Sequence, residues 1–175
     1  MSRRVATLIN EEQLMARIKE LGKQITEDYK GKDLLLIGIL KGSVPFICSL
    51  MWEIDNENLA IDFMDVSSYG SETESSGEVK ILKDVDMSIK DKNVLLVEDI
   101  VDTGRTMEKL IDMLKTREPA SLKICTLLDK PSRRVCDVKV DYIGFEIENK
   151  FVAGFGLDDD QRMRQLKYIG EVIFD

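Results

Sequence analysis

Residues 94–106, VLLVEDIVDTGRT, join a short apolar run to a turn that is rich in acids and hydroxyl groups. The run 94–97 is unbroken, which is typical of a strand that is buried on both faces of a parallel sheet. Two carboxylates, Glu98 and Asp99, follow directly, and a third, Asp102, comes three residues later. The apolar positions beyond the turn recur at helical spacing. We therefore expect a buried strand, a loop that carries the acids, and then a helix.

The end of this stretch has the features of a phosphate site. A helix N-terminus presents unpaired N–H groups and a partial positive charge to an anion. Gly104 would let the backbone approach a phosphate closely, and Thr103 and Thr106 would add hydroxyl donors. Carboxylates beside a phosphate would repel it unless they bind Mg²⁺, hold sugar hydroxyls or take a proton. Each feature alone is explained as well by an ordinary strand, turn and capped helix, but the whole pattern favours a site for a phosphorylated sugar.

The composition predicts a soluble globular protein. The chain has 175 residues, of which 43% are hydrophobic and 33% are charged, so we expect one domain over 1–175. The net charge of −8 disfavours a general nucleic-acid binder, which needs a basic face. No apolar run approaches the ~20 residues that a membrane helix needs, and the first residues lack the apolar core of a signal peptide. The expected location is therefore the cytoplasm.

The sequence contains no histidine, and this absence limits the chemistry. It excludes Ser-His-Asp and Cys-His catalysis, so a general acid or base must be Asp, Glu, Lys, Tyr or Cys. A bound metal would be held by oxygen atoms, which favours Mg²⁺ or Mn²⁺. The three cysteines, Cys48, Cys125 and Cys136, are scattered and form no C-x-x-C pair, so neither a zinc site nor a disulfide framework is predicted.

Apolar strands alternate with helices along the rest of the chain, which predicts an α/β fold. A helix over about 11–29 begins with a capping box, because Asn10 is followed three residues later by Gln13. A polar stretch at about 67–78 is expected to be a flexible active-site loop. The remaining predicted segments are strands at 34–40, 60–66, 79–82, 122–128 and 142–147, a helix at 44–54, and apolar pieces at 151–157 and 168–174.

Charged residues stand in the loops that leave several of these strands. They are Lys41, the acids of 98–106, Lys130 and Asp158. Ligands of open parallel sheets bind beyond the carboxyl ends of the strands. We therefore expect these loops to converge on one cleft.

The sequence closely resembles the type I phosphoribosyltransferases, and within them the branch that acts on 6-oxopurines. The resemblance covers nearly the whole chain and rests on four motifs in order, which are LKGS (40–43), SSYG (67–70), VEDIVDTGRT (97–106), and LLDK (127–130) with KFVAGFGLD (150–158). It implies an α/β fold with a central, mostly parallel sheet flanked by helices and a small hood built from the chain ends. It also implies purine salvage, in which hypoxanthine or guanine reacts with phosphoribosyl pyrophosphate to give IMP or GMP and pyrophosphate.

The resemblance assigns roles to individual residues. Asp102 would lie beside purine N7 as the general base, and Lys130 would read the 6-oxo group, which disfavours adenine. The 5′-phosphate and ribose would be bound by Glu98, Asp99, Asp102, Thr103, Gly104, Arg105 and Thr106. Pyrophosphate would be bound by Lys41, Gly42 and Arg164 and by a lid that includes Ser68 and Tyr69. The purine would be bound by Lys130, Phe151, Val152 and Asp158, and Mg²⁺ by Glu98, Asp99 and Asp158.

The residues leave some assignments open. On local evidence Lys130, Arg133 and Arg134 are explained as solvated side chains, although the resemblance gives Arg134 a role in positioning its neighbours. Asp159 stands where relatives often carry an aromatic residue, which leaves the choice among hypoxanthine, guanine and xanthine open. The alternatives are a xanthine-preferring enzyme and a regulatory nucleic-acid-binding protein of the same fold, and the acidic charge argues against the second. The resemblance implies small-molecule substrates and a homodimer or homotetramer, without nucleic-acid or membrane partners.

Overall fold

Within the described residues the chain forms a large sheet, covered by helices on both faces, and a small sheet beside it. The computed structural model describes residues 3–68 and 79–174. The elements run in the order β1 (Arg3–Ile9), α1 (Glu11–Asp28), β2 (Leu34–Leu40), α2 (Val44–Met51), β3 (Leu59–Ser68), β4 (Val79–Lys83), β5 (Asn93–Val101), α3 (Arg105–Lys115), β6 (Ser121–Asp129), a 3₁₀ turn (Pro131–Arg133), β7 (Tyr142–Glu146), β8 (Val152–Ala153) and β9 (Ile169–Phe174).

In the part of the chain that the structure describes, the large sheet has six strands in the order β4-β3-β2-β5-β6-β7. All neighbouring pairs are parallel except β3 with β4, which are antiparallel. The predictions of a central, mostly parallel sheet and of a short strand at 79–82 are confirmed. β2 has β3 on one side and β5 on the other, so the direction in which the chain adds strands reverses between β2 and β5. Ligands of open α/β sheets bind at such a switch point.

Alternate residues of the central strands enter two separate cores. On β2, Leu34 packs in the core that holds α1 and α2, whereas Leu35 packs in the core that holds α3. Burial on both faces explains why the sequence of these strands is apolar without alternation. The capping box predicted for α1 is confirmed, because Asn10 and Gln13 exchange hydrogen bonds of 2.8 and 2.9 Å between side chain and backbone. No helix within the described ranges is both long enough and apolar enough to cross a membrane.

The ends of the chain form the small sheet, which we call the hood. Its strands are antiparallel and lie in the order β1-β9-β8. β1 pairs with β9 from Arg3 opposite Phe174 to Ile9 opposite Ile169. The predicted hood built from the chain ends is thereby confirmed.

Strand β5 is longer than its apolar run predicts. The run predicts a strand at 94–97 with Glu98 and Asp99 in a loop, whereas β5 continues to Val101. β5 keeps its parallel pairing with β6 beyond the apolar run, as far as Val101 opposite Asp129. The two acids are therefore held on a strand, and the prediction that they lie in a loop is wrong.

Two other boundaries differ from the predictions. α2 ends at Met51 rather than at residue 54. Within the apolar piece 151–157, the strand is limited to Val152–Ala153, because the next three residues have positive φ angles and turn the chain. This turn brings the following acidic segment back towards the large sheet.

The flexible loop predicted at 67–78 falls only partly within the described residues. Its first two residues, Ser67 and Ser68, belong to β3 and pair with β4. Tyr69 and the rest of that loop lie outside the described residues. The role of this segment as a lid therefore stays a prediction.

Candidate active site

A cavity lies at the carboxyl end of β5, beside the switch point of the large sheet. Its volume is about 220 Å³, and it is lined by the end of β5, the turn that follows and the first turn of α3, that is by residues 98–104 with Thr106 and Met107. One continuous stretch of sequence therefore forms its wall. The loop after β2 contacts this stretch at Asp99, and the segment after β6 contacts it at Val101 and Thr103. The turn 154–164 packs against the loop after β2, where Gly156 lies beside the Gly42 carbonyl.

Glu98 and Asp99 lie side by side near the end of β5. The Asp99 N–H donates to Glu98 Oε1 at 3.0 Å, and the next N–H donates to Asp99 Oδ1 at 2.6 Å. Burial raises the pKa of the Glu98 carboxyl well above its ordinary value, and the negative charge of Asp99 raises it further. Burial also raises the pKa of Asp99, against the opposing effects of its hydrogen bonds and of the Arg164 charge. In its ionised form this pair would be stabilised by a cation or by hydroxyl donors.

The turn between β5 and α3 depends on a glycine. Gly104 has a φ of 87°, in the left-handed region that favours glycine. A Cβ at this position would also lie 2.9 Å from Cδ of Arg134. α3 begins directly after it at Arg105, so the unpaired N–H groups of the first helical turn come next. Thr103 and Thr106 line the cavity at the place where the sequence predicts a phosphate.

The segment after β6 holds this turn through backbone hydrogen bonds. The Lys130 N–H donates to the Val101 carbonyl at 3.0 Å. The Val135 N–H donates to the Thr103 carbonyl at 3.1 Å. These bonds fix the backbone on either side of Asp102.

Two adjacent arginines after β6 contact acids in different ways. Arg134 is largely buried, forms an ion pair with the buried Asp129, and donates to the Asp102 carbonyl at 3.4 Å. Arg133 is half exposed, and its Nε–H donates to Oδ1 of Asp102 at 3.1 Å. The interpretation as a solvated side chain is wrong for Arg134, whereas Arg133 is exposed as expected but is held by an ion pair. The sequence gives no signal for the pairing of Arg133 with Asp102, because these residues lie 31 positions apart and the fold brings them together.

The loop after β2 meets the acids of β5 across the switch point. Gly42 lies so close to Asp99 that a Cβ on it would overlap the carboxylate. Its carbonyl lies against Gly156, which has a φ of 101° and where a Cβ would overlap that carbonyl. Lys41 is exposed at this edge, and its peptide bond with Leu40 is cis. Lys41 and Gly42 thus lie beside the acids, and their contact with pyrophosphate stays a prediction.

Arg164 closes the turn 154–164 on itself. Its guanidinium donates to the Gly156 carbonyl at 2.8 Å and lies 3.1 Å from Oδ1 of Asp158. Its charge also lowers the pKa of Asp99, against the effect of burial. Arg164 therefore acts electrostatically on two of the three predicted metal ligands, Asp99 and Asp158.

Asp159, the residue after Asp158, has a distant partner. It is buried and forms an ion pair with Arg3 of β1. This pair joins the hood to the turn that carries Asp158. The sequence does not indicate it, because the two residues lie 156 positions apart.

Three of the four predicted base-binding residues lie together between the end of β6 and the hood, and the fourth, Asp158, lies in the turn that carries Arg164. The Lys130 ammonium is buried and donates to the Lys150 carbonyl at 2.6 Å. Phe151 is 47% exposed, and its ring stacks on Phe174 with centroids 5.9 Å apart. Val152 follows as a buried residue of β8. The structure thus brings Lys130 to the same place as Phe151 and Val152, which lie about twenty residues later in the sequence.

The predicted metal ligands do not form one cluster. Within residues 3–68 and 79–174, no three acid or cysteine side chains lie close enough together to hold a metal ion alone. Glu98 and Asp99 are neighbours, and Asp158 is paired with Arg164. Mg²⁺ is commonly held by one or two carboxylates with substrate phosphates and water, so the carboxylate oxygens at this site fit that ion.

The family is settled by comparison with known proteins. The model of the phosphoribosyl transferase domain matches residues 5–160. This chain belongs to the phosphoribosyltransferase family. The match covers the cavity wall, the Lys41 loop and Lys130 of this phosphoribosyltransferase.

Named relatives and a solved structure resemble this phosphoribosyltransferase over almost its whole length. It is 53% identical over 163 residues to the hypoxanthine-guanine phosphoribosyltransferase of Streptococcus mutans, covering 93% of this chain and 90% of that protein. It is 51% identical over 175 residues to the hypoxanthine phosphoribosyltransferase of Escherichia coli, covering 99% and 98% of the two chains. A crystal structure of a hypoxanthine phosphoribosyltransferase from Staphylococcus aureus matches with a TM-score of 0.92 at 49% identity, covering 95% of this chain and 90% of that chain. The family and the fold expected from the sequence are confirmed.

Proposed function

We propose that this phosphoribosyltransferase is a purine-salvage enzyme. It transfers the phosphoribosyl group of phosphoribosyl pyrophosphate to N9 of hypoxanthine or guanine, and it releases pyrophosphate with IMP or GMP. Relatives that are named for these bases and are about half identical over nearly the whole chain support this substrate class. The site supports it through the loops of two neighbouring strands, since Asp102 follows β5 and Lys130 follows β6.

Lys130 gives the strongest support for a 6-oxopurine. Its ammonium is buried and already bonds a carbonyl oxygen, that of Lys150. An ammonium has donors only, so it bonds the 6-oxo group of hypoxanthine or guanine and finds no acceptor in the 6-amino group of adenine. Phe151, next in sequence to Lys150, provides a half-exposed ring for the base to stack on. Val152 reads the edge of the base through its backbone, and Asp158 lies at the rim.

The segment 98–106 binds the sugar phosphate in this proposal. The N–H groups at the start of α3 hold the 5′-phosphate, together with the hydroxyls of Thr103 and Thr106. Gly104 lets the backbone approach the phosphate, and Arg105 adds a positive charge at the first position of the helix. The two carboxylates at the end of β5 hold the ribose hydroxyls.

Pyrophosphate lies between the loop after β2 and the turn 154–164. Lys41, the Gly42 backbone and Arg164 supply positive charge and donors there. Gly42 lies against Asp99, and the charge of Arg164 acts on the same carboxylate. Ser68 and Tyr69 belong to the lid that closes over pyrophosphate and excludes water.

Mg²⁺ is the cofactor that this donor set favours. Glu98 and Asp99 would hold it, directly or through bound water, and Asp158 would hold a second ion. When bound, Mg²⁺ neutralises the charge of the pyrophosphate leaving group. The raised pKa values of Glu98 and Asp99 fit a place where a cation is needed to keep two neighbouring carboxylates ionised.

Asp102 acts as the general base. The bond from ribose C1′ to the pyrophosphate oxygen breaks, N9 of the purine bonds to C1′, and the proton on N7 passes to the Asp102 carboxylate. A positioned carboxylate of this kind contributes about 10²- to 10⁴-fold to the rate.

The whole chain acts in this proposal as one domain in the cytoplasm, as a homodimer or homotetramer. The three cysteines are free thiols, which fits a reducing compartment. Small-molecule substrates account for the site without nucleic-acid or membrane partners.

A panel of bases tests the function. The protein is mixed with phosphoribosyl pyrophosphate, Mg²⁺ and each of hypoxanthine, guanine, xanthine and adenine, and nucleotide formation is followed by absorbance. We expect turnover of hypoxanthine and guanine and none of adenine. Turnover of xanthine above the other bases would show a xanthine enzyme. No turnover of any base would refute the proposal and direct attention to the regulatory nucleic-acid-binding alternative.

A further inference from the structure

Arg133 makes a contact that no role assigned above explains. Its Nε–H donates to Oδ1 of Asp102 at 3.1 Å, and the side chains are 46% and 43% exposed. We propose that Arg133 is a positioning residue for proton transfer, which holds one carboxylate oxygen of Asp102 so that the other is presented to purine N7. This inference rests on the proposed function, because it concerns Asp102 as the general base of that reaction.

The backbone at Asp102 is already fixed by other groups. Arg134 Nη1 donates to the Asp102 carbonyl at 3.4 Å. The carbonyls on either side, of Val101 and Thr103, accept N–H groups from the segment after β6. The freedom that remains at Asp102 is rotation of its side chain, and Arg133 restricts that rotation.

Arg133 is itself placed by a short, well-defined turn. The 3₁₀ turn Pro131–Arg133 starts directly after Lys130, and the Arg133 N–H donates to the Lys130 carbonyl at 3.0 Å. The 6-oxo group and N7 are neighbours on one edge of a 6-oxopurine. One turn therefore positions two groups. They are the Lys130 ammonium, which bonds the 6-oxo group, and the Arg133 guanidinium, which orients the Asp102 carboxylate towards N7.

The exposure of the pair separates this role from a structural one. An ion pair between side chains that are this exposed adds little to stability, so its removal should leave the fold intact. The guanidinium has fixed planar donors, whereas a lysine ammonium in its place keeps the charge without that geometry. A loss of turnover in a normally folded variant would thus report on orientation.

Arg133→Gln is the variant that tests this inference. With hypoxanthine we expect kcat to fall about tenfold, because the base is no longer held in its reactive orientation, while KM for phosphoribosyl pyrophosphate stays within about twofold. Arg133→Lys should restore part of the lost turnover. Arg117→Gln is the matched control, since it removes an equal charge and an Arg–Asp ion pair, with Asp84, and should leave kcat unchanged.

The same change in an Asp102→Asn background gives the decisive comparison. If Arg133 acts through the carboxylate, Arg133→Gln should lower the residual kcat less than about twofold there, because coupled residues are not additive. The inference would be overturned if Arg133→Gln lowered kcat equally in the wild-type and Asp102→Asn backgrounds, or if it did not lower kcat in the wild-type background. Absence of hypoxanthine turnover in the wild type would instead refute the proposed function, and the role of Arg133 with it.

Discussion

The proposed phosphate side and the proposed base side of the active site are built in different ways. The phosphate side is one continuous segment, 98–106, and its essential parts are backbone N–H groups and a left-handed glycine. The base side combines side chains from separate segments, with Lys130 after β6 and Phe151 beside the hood. Changes to backbone geometry should therefore damage the first side, and changes to side-chain chemistry should damage the second.

Asp102 lies on the phosphate segment, but in the proposed reaction it accepts the N7 proton of the purine. Its replacement therefore gives the largest expected effect. Asp102→Asn keeps the shape and removes the proton acceptor. We expect kcat with hypoxanthine to fall about 10²- to 10⁴-fold, with little change in the affinity for phosphoribosyl pyrophosphate. Steady-state kinetics measure both. Activity that survives the change would remove Asp102 from the role of general base and leave the enzyme class untouched.

Gly104→Ala tests the backbone side. A side chain at the φ of 87° is strained and would press on Arg134. We expect kcat/KM for phosphoribosyl pyrophosphate to fall about 100-fold, because the helix N-terminus is displaced from the phosphate. The unfolding free energy should fall by about 1–2 kcal/mol.

Gly31→Ala is the control for this change. Gly31 has a φ of 71° and no atom within 4 Å of an added Cβ, so it carries the same conformational strain without the contact. It should lower stability by a similar amount in urea denaturation and leave activity as it is. A loss of activity in both variants would point to general destabilisation.

Lys130→Gln tests the side-chain side. The change keeps hydrogen-bonding capacity but removes a charged donor, and such bonds contribute about 1.5–3 kcal/mol. We expect kcat/KM for hypoxanthine to fall about 10- to 100-fold. Kinetics with hypoxanthine and guanine measure it. An unchanged kcat/KM would show that Lys130 does not contact the base.

Asp84→Asn should have the smallest effect, because it lies outside both sides. The hydrogen bond from Arg117 lowers the pKa of Asp84, so its contribution to stability is present above the ordinary value of 3.8 and disappears as the pH falls through the lowered folded-state pKa. The pair is exposed, so we expect a loss of about 0.5 kcal/mol at pH 7, vanishing in strong acid. Urea denaturation of wild type and Asp84→Asn at pH 7 and in strong acid measures this loss of unfolding free energy, and hypoxanthine kinetics check that activity is unchanged. A change in kcat would contradict its place outside the site.

The two sides also differ in how far the sequence predicts them. The strand, the acids, the glycine and the helix of 94–115 follow one another in the chain, so local patterns predict them. The extension of β5 through Glu98 and Asp99 was outside those patterns, because pairing with β6 sets the end of the strand. Sequence patterns describe the segment, and the tertiary partner fixes its bounds.

The base side could not be predicted from local patterns at all. Lys130 and Phe151 were assigned through resemblance, since an isolated lysine or phenylalanine has no local signature of a purine site. The ion pairs of Asp102 with Arg133 and of Asp159 with Arg3 join residues 31 and 156 positions apart. Only the fold reveals such pairs, because the separation in sequence carries no information on contact.

Binding of phosphoribosyl pyrophosphate in the presence of Mg²⁺, measured by calorimetry, tests the division between the two sides most directly. Wild type, Gly104→Ala and Lys130→Gln are compared. We predict that Gly104→Ala weakens binding by at least about tenfold, because it disturbs the backbone phosphate site, whereas Lys130→Gln leaves the affinity within about threefold. Equal weakening in the two variants, or a greater effect of Lys130→Gln, would contradict an active site with a backbone-built phosphate side and a separate side-chain-built base side.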